Sequence, residues 1–287
     1  MQGLWAAVSG PATTSAPAPD PLYVLSCLTG VIAMGLVVLT AWIIRRAANP
    51  QKFRLLNSPG RKNTVNPGHI VLLLAMFLGA TTAGHFFFQR FYPLNSGELL
   101  ISEGLCGQTF WLLACLAVGA MCFRHGLVRG MGWSLRHFYY DTARGVLGYL
   151  GAMPIVIALL LVTSLILPAD WQKEHEVLQA LRTLSPAWKT LAVLSAAVLA
   201  PLAEESFFRG LLQSMIRRYS GSPWAAIWVA SAVFAASHFL TPQNIPAIFA
   251  LGVVLGYNYE RCGRMYPSVL IHSIFNLVFI LIQLKQG

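Results

Sequence analysis

LAVLSAAVLAPLAEESFFRGLLQSMI, residues 191–216, reads as a membrane-crossing helix that carries two carboxylates in its middle. At roughly 1.5 Å per residue the stretch is long enough for the ~30 Å hydrocarbon core of a bilayer. Only Glu204, Glu205 and Arg209 in it are charged. A charge at mid-bilayer costs at least ~2.5 kcal/mol, and adjacent carboxylates repel one another as well, so such side chains face a protein interior or a wet cavity. Arg209 follows Glu205 by four residues and shares its face, in the favourable acid-then-base order. That pair could serve only to tie helices together. Glu204 points about 100° away and has no local cation, so its partner must come from another segment.

Outward from this stretch the chain keeps the same character. Of its 287 residues 56% are hydrophobic and 10% charged, against about 25% charged in a soluble domain, and the mean hydropathy is +0.61. Long apolar blocks run over 22–44, 70–88, 105–123, 145–167, 191–216, 224–240, 245–259 and 266–284. These predict an all-α, polytopic transmembrane helix bundle of about eight spans. The blocks at 224–240 and 245–259 are short for a span and are expected to line a protein-filled or wet cavity. Residues 1–20 lack the basic start of a cleavable signal and read as a flexible tail. Residues 21–287 read as a single transmembrane domain with its chemistry in 200–279.

The net charge of +10 would suggest nucleic acid in a soluble protein, but here it is distributed by connection, and no nucleic-acid partner is expected. Alternate connections hold fourteen of the twenty Lys and Arg residues, among them Arg45, Arg46, Arg124, Arg217, Arg218, Arg261 and Arg264. By the positive-inside rule this pattern turns the termini outward. The expected partner is the lipid bilayer, and the expected location is the cell (inner) membrane, as a multi-pass protein. Cys27, Cys106, Cys115, Cys122 and Cys262 have no CxxC spacing, so neither a disulfide framework nor a thiolate zinc site is indicated.

Two histidines can answer Glu204. His238 closes Phe234-Ala-Ala-Ser-His238, and His272 opens His272-Ser-Ile-Phe-Asn276, whose i,i+4 spacing sets His272 and Asn276 on one face. His69, His85, His125, His137 and His175 lie at span ends or in connections and read as packing residues. Glu204 and His238 lie at matching depths, about 21 to 22 Å from the basic face at ~1.5 Å per residue. His272, five residues past Pro267, would lie nearer that face on a straight helix. The two depths agree if the 263–267 segment enters the bundle before the last helix starts, or if the 245–259 helix does not cross fully.

Read in order, Glu204-Glu205-x-x-x-Arg209, Phe234-x-x-x-His238 and His272-x-x-x-Asn276 resemble the three-motif signature of the CAAX protease and bacteriocin-processing (CPBP, Abi) family of intramembrane endopeptidases. The resemblance covers about 200–279. It implies a multispanning endopeptidase in which Glu204 and His238 activate water, His272 and Asn276 stabilise the oxyanion, and Glu205 and Arg209 support the site. Substrates of this class would be a prenylated or otherwise lipidated C-terminus, a bacteriocin or signalling precursor, or another membrane protein.

Amide hydrolysis needs a base for water, donors for the oxyanion and a proton for the leaving nitrogen, and these residues supply all three. The cofactor is either none or a divalent metal such as zinc, because Glu204, His238 and His272 also make up a three-ligand set with one open position. The absence of a HExxH helix, and Asn276 as a partner for His272, weigh toward metal-free hydrolysis. The competing class is a membrane transporter or ion path that uses Glu204 and the two intramembrane histidines. A structural scaffold is a third reading, one that would tolerate loss of Glu204.

Overall fold

A computed structural model describes residues 21–53, 55, 62–168, 171 and 176–286. The tail expected over residues 1–20, and His175, lie outside these residues. Each apolar block forms a helix: α1 (Pro21–Ala48), α2 (Pro67–Phe88), α3 (Gly97–Cys122) and α4 (Phe138–Ile166) precede a short amphipathic α5 (Glu176–Thr183). Then come α6 (Pro186–Ser220), α7 (Pro223–Ala236), α8 (Ile245–Cys262) and α9 (Tyr266–Gln286). The protein is an all-α integral membrane bundle.

The helices of the expected bundle differ in length and apolar character. Among the described residues five helices, in α1, α2, α3, α4 and α6, are long and apolar enough to cross a membrane by themselves. The 14-residue α7 reaches only about 21 Å, and α8 ends in the polar run Tyr257-Asn-Tyr-Glu-Arg261. Helices of that kind belong inside a bundle. In α1 6% of the apolar window is buried within the protein, against 56% for α6, so α1 presents its surface to lipid and α6 runs through the centre.

Helix starts follow local chemistry. Asn66 and His69 form a reciprocal capping box at α2: the Asn66 side chain accepts from the His69 amide, and the His69 ring accepts from the Asn66 amide. His69 is thus structural, as expected. Both α3 and α4 begin earlier than their apolar blocks, at Gly97 and Phe138, which draws Glu103 and Asp141 into helices. Glu103 pairs with His85 of α2 at 2.7 Å, and Asp141, fully buried, takes a two-pronged ion pair from Arg264 at 2.5 and 2.6 Å. That pair holds the Arg264 guanidinium above its ordinary pKa.

The basic connections gather at one end of the bundle. The Thr64 amide donates to the Cys122 carbonyl, Asn63 to the Ser214 carbonyl, Arg218 to the Val65 carbonyl, Arg261 to the Lys52 carbonyl, and the Met265 amide to the Gly132 carbonyl. Gly132 sits at φ +97°, and a Cβ there would fall 2.6 Å from the Gly263 carbonyl oxygen, so only glycine lets these two loops approach.

This interlock sets the depth of α9. Met265 is fully buried, and its methyl lies against Gly210, well inside the end of α6. From Gly210 back to Glu205 is about 8 Å and from Met265 on to His272 about 11 Å, so the carboxylates and the imidazole come level. Of the 263–267 segment, Met265 is already buried in the bundle before α9 begins at Tyr266. Because Asp141–Arg264 pins that entry, Asp141→Ala should leave an unpaired guanidinium and cost about 3 kcal/mol of stability. Thermal unfolding in detergent measures it.

Candidate active site

The centre of the site is an irregular length of α6. Two π-helical stretches, Ser195–Leu199 and Ser206–Gln213, flank an α-helical segment, Ala200–Glu205, that carries both carboxylates. Each wide turn changes the direction of the side chains after it, and such turns recur at functional positions. Ser214 meets the looser ladder with its own hydroxyl, donated to the Arg209 carbonyl at 3.3 Å.

Glu205 and Arg209 are both fully buried and form an ion pair, Oε2 to Nε, at 3.2 Å. Arg209 also donates to the Gly252 carbonyl of α8 at 3.3 Å, and its guanidinium lies 4.5 Å from the Phe234 ring centroid. The other oxygen of Glu205 sits 3.0 Å from His272 Nδ1. An ionised carboxylate only accepts, so Nδ1 carries the hydrogen and Nε2 is left for other work. That nitrogen faces Glu204, with Oε2 at 3.7 Å. Glu204 keeps 23% of its side chain exposed, while Oε2 itself is buried and has no hydrogen-bond partner among the described residues. One imidazole therefore stands between two carboxylates, one locked and one open.

His238 lies just past the end of α7, half-buried. Its Nδ1 is 2.9 Å from the Phe234 carbonyl and 3.3 Å from Ser237 Oγ. A carbonyl accepts only, so in the neutral ring the lone pair sits on Nε2. His238 makes no direct ion pair with Glu204; what joins it to the cluster is Phe234. That ring stands edge-on to His238 at 5.0 Å and to His272 at 5.6 Å, and it continues an aromatic series through Phe208, Phe207 and Trp111. Asn276, one turn after His272, gives its amide to the Ala196 carbonyl at 2.8 Å.

The structure thus brings Glu204, Glu205, Arg209 and His272 into contact, sets His238 beside them across Phe234, and turns Asn276 to the first π stretch. Among the described residues no three His, Cys, Asp or Glu side chains are grouped to hold a metal ion. Glu204, His238 and His272 are not drawn together as a ligand set, although with Nδ1 of His272 on Glu205 and Nδ1 of His238 on Phe234 the Nε2 atom of each ring is the one left for a ligand or proton role. Other buried polar partners carry a weak sequence signal. Gln213 donates to Glu260 at 3.2 Å and to the Gly256 carbonyl at 3.1 Å, and neither polar residue belongs to the three motifs.

Residues 186–278, from α6 into α9, match the family model described as type II CAAX prenyl endopeptidase Rce1-like. The chain carries an Rce1-like segment. It contains every motif residue named above, so the Rce1-like segment and the buried cluster coincide. The chain is also 31% identical over 85 residues to an uncharacterised 24.3 kDa protein of Escherichia coli, covering 29% of this chain and 39% of that protein. It is 33% identical over 85 residues to the uncharacterised protein YpbD of Bacillus subtilis (strain 168), covering 29% and 40%. The chain thus matches about two fifths of the length of these curated relatives. No solved structure matches it.

Proposed function

We propose that the protein is an intramembrane endopeptidase of the cell membrane, cleaving a peptide bond of a membrane-associated or lipidated substrate, with prenylated C-termini among the candidates. The observation that carries this reading is the convergence of Glu204 and Glu205 on His272 inside the Rce1-like segment. Glu204, open on one side, takes a proton from water while the water oxygen attacks the substrate carbonyl carbon, with His238 Nε2 assisting. In its doubly protonated form His272, oriented by Glu205 as a partner carboxylate orients a catalytic imidazole, donates its Nε2 hydrogen to the developing oxyanion. As the tetrahedral intermediate collapses, the C–N bond breaks and the proton held by Glu204 passes to the leaving nitrogen.

The test uses purified full-length protein in liposomes, offered a quenched-fluorescence farnesylated peptide, its unprenylated counterpart, and membrane extracts from cells lacking the protein. Native protein should generate new peptide termini in at least one of these. Termini no more abundant than with a Glu204→Ala control would sink the reading, and Glu204-dependent ion flux across the same liposomes would put an ion path in its place. Turnover should also persist through exhaustive chelation, because the donor geometry does not assemble a zinc site. Reversible loss, restored by stoichiometric zinc, would assign Glu204, His238 and His272 as ligands.

A further inference from the structure

The amide of Ala200 donates five residues back, to the Ser195 carbonyl. The next amide in that register would serve the Ala196 carbonyl, but residue 201 is proline and has no N–H. The α-helical register offers no remedy, since the donor it would use for Ala196 is Ala200, already committed to Ser195. Ala196 is therefore a carbonyl that its own helix cannot satisfy, in surroundings where a lone carbonyl costs roughly 1–3 kcal/mol. Asn276 of α9 satisfies it at 2.8 Å. A second bracket holds the same turn from the other side, where Ser195 Oγ donates to Gln108 Oε1 of α3 at 2.9 Å.

The placement of this bond matters for the chemistry. Asn276 follows His272 by four residues and Ala196 precedes Glu204 and Glu205 by eight and nine, so one hydrogen bond joins the two segments a single turn from the imidazole on α9 and about two turns from the carboxylates on α6, with Pro201 between. We propose that Asn276 is a positioning residue, which seats His272 against Glu205 and Glu204 by capping the carbonyl that Pro201 leaves without a donor. For its activity arm this rests on the endopeptidase reading. It also explains why a proline is accommodated in mid-span: a neighbouring helix repairs the ladder.

A double-mutant cycle on the full-length protein in liposomes tests it, using the best substrate of the native protein, with hydrogen exchange followed in peptides covering 195–205. Asn276→Leu should lower kcat about tenfold or more with KM within about threefold, and should speed exchange in that segment. Pro201→Ala returns an amide hydrogen that can serve Ala196, so in its background Asn276→Leu should cost less than about threefold. An equal loss in both backgrounds would overturn the proposal and place the Asn276 amide on the reacting oxygen itself. Exchange over 195–205 unchanged by Asn276→Leu would overturn it too, and that measurement needs neither turnover nor a folded Pro201→Ala variant. Cleavage that persists in Glu204→Gln defeats the endopeptidase reading alone and leaves the exchange result to decide the role of Asn276.

Discussion

Glu204→Gln should lower kcat by about three orders of magnitude or more, the upper range of what a positioned base contributes, while thermal stability stays unchanged or rises. Both halves follow from the geometry. Glu204 is the cluster's half-buried, open carboxylate, and its buried oxygen has no hydrogen-bond partner among the described residues to lose. The change also removes the repulsion of an adjacent charge. Steady-state cleavage and a melting curve on the same preparation measure the two effects. A variant that cleaves at more than a tenth of the native rate would remove Glu204 from the chemistry. A variant that unfolds would instead make it a structural carboxylate like Glu205.

Arg209→Met should have the opposite profile, failing first in folding. Arg209 balances the buried Glu205, donates to Gly252 and stacks over Phe234, all without solvent contact. Removing one partner of such a buried pair costs about 3–5 kcal/mol, a large share of the stability of an ordinary domain. Glu205→Gln leaves the reverse imbalance and should destabilise comparably. The double variant Arg209→Met with Glu205→Gln should regain much of the loss, because no lone charge then remains. Thermal unfolding of the three proteins reads the cycle. Additive losses would mean that the two side chains contribute separately rather than as a pair. Turnover of the double variant should stay low, since the amide that replaces Glu205 can no longer supply the carboxylate that orients the His272 ring.

From the sequence, Glu205 is expected to have a graded, supporting effect on turnover. Its full burial makes the larger consequence one of stability, which a helical-wheel argument cannot show: i,i+4 spacing identifies the partner but not the dielectric around the pair. The same limit applies to Asp141 and Glu260, which read as connection or span-end residues because hydropathy marks where a helix is greasy rather than where it starts. The early start of α4 moves Asp141 inside, and α8, running on to Cys262, carries Glu260 with it.

Composition and the eight apolar blocks were enough to establish an all-α membrane bundle, because backbone groups in hydrocarbon can be satisfied only within helices or closed barrels. Motif order and the cost of polar groups in such blocks made Glu204, His238, His272 and Asn276 the candidates. Which of them touch depended on tertiary structure. The depth of His272 was set by Gly132, Gly263 and Arg264 holding the start of α9 inside the bundle, residues far from the motifs in the chain. The engagement of His272 by both carboxylates, and of Asn276 by Ala196, arose from π-helical turns and a mid-helix proline that no periodicity reveals, because a single extra residue per turn leaves the hydrophobic pattern intact while it redirects every side chain that follows.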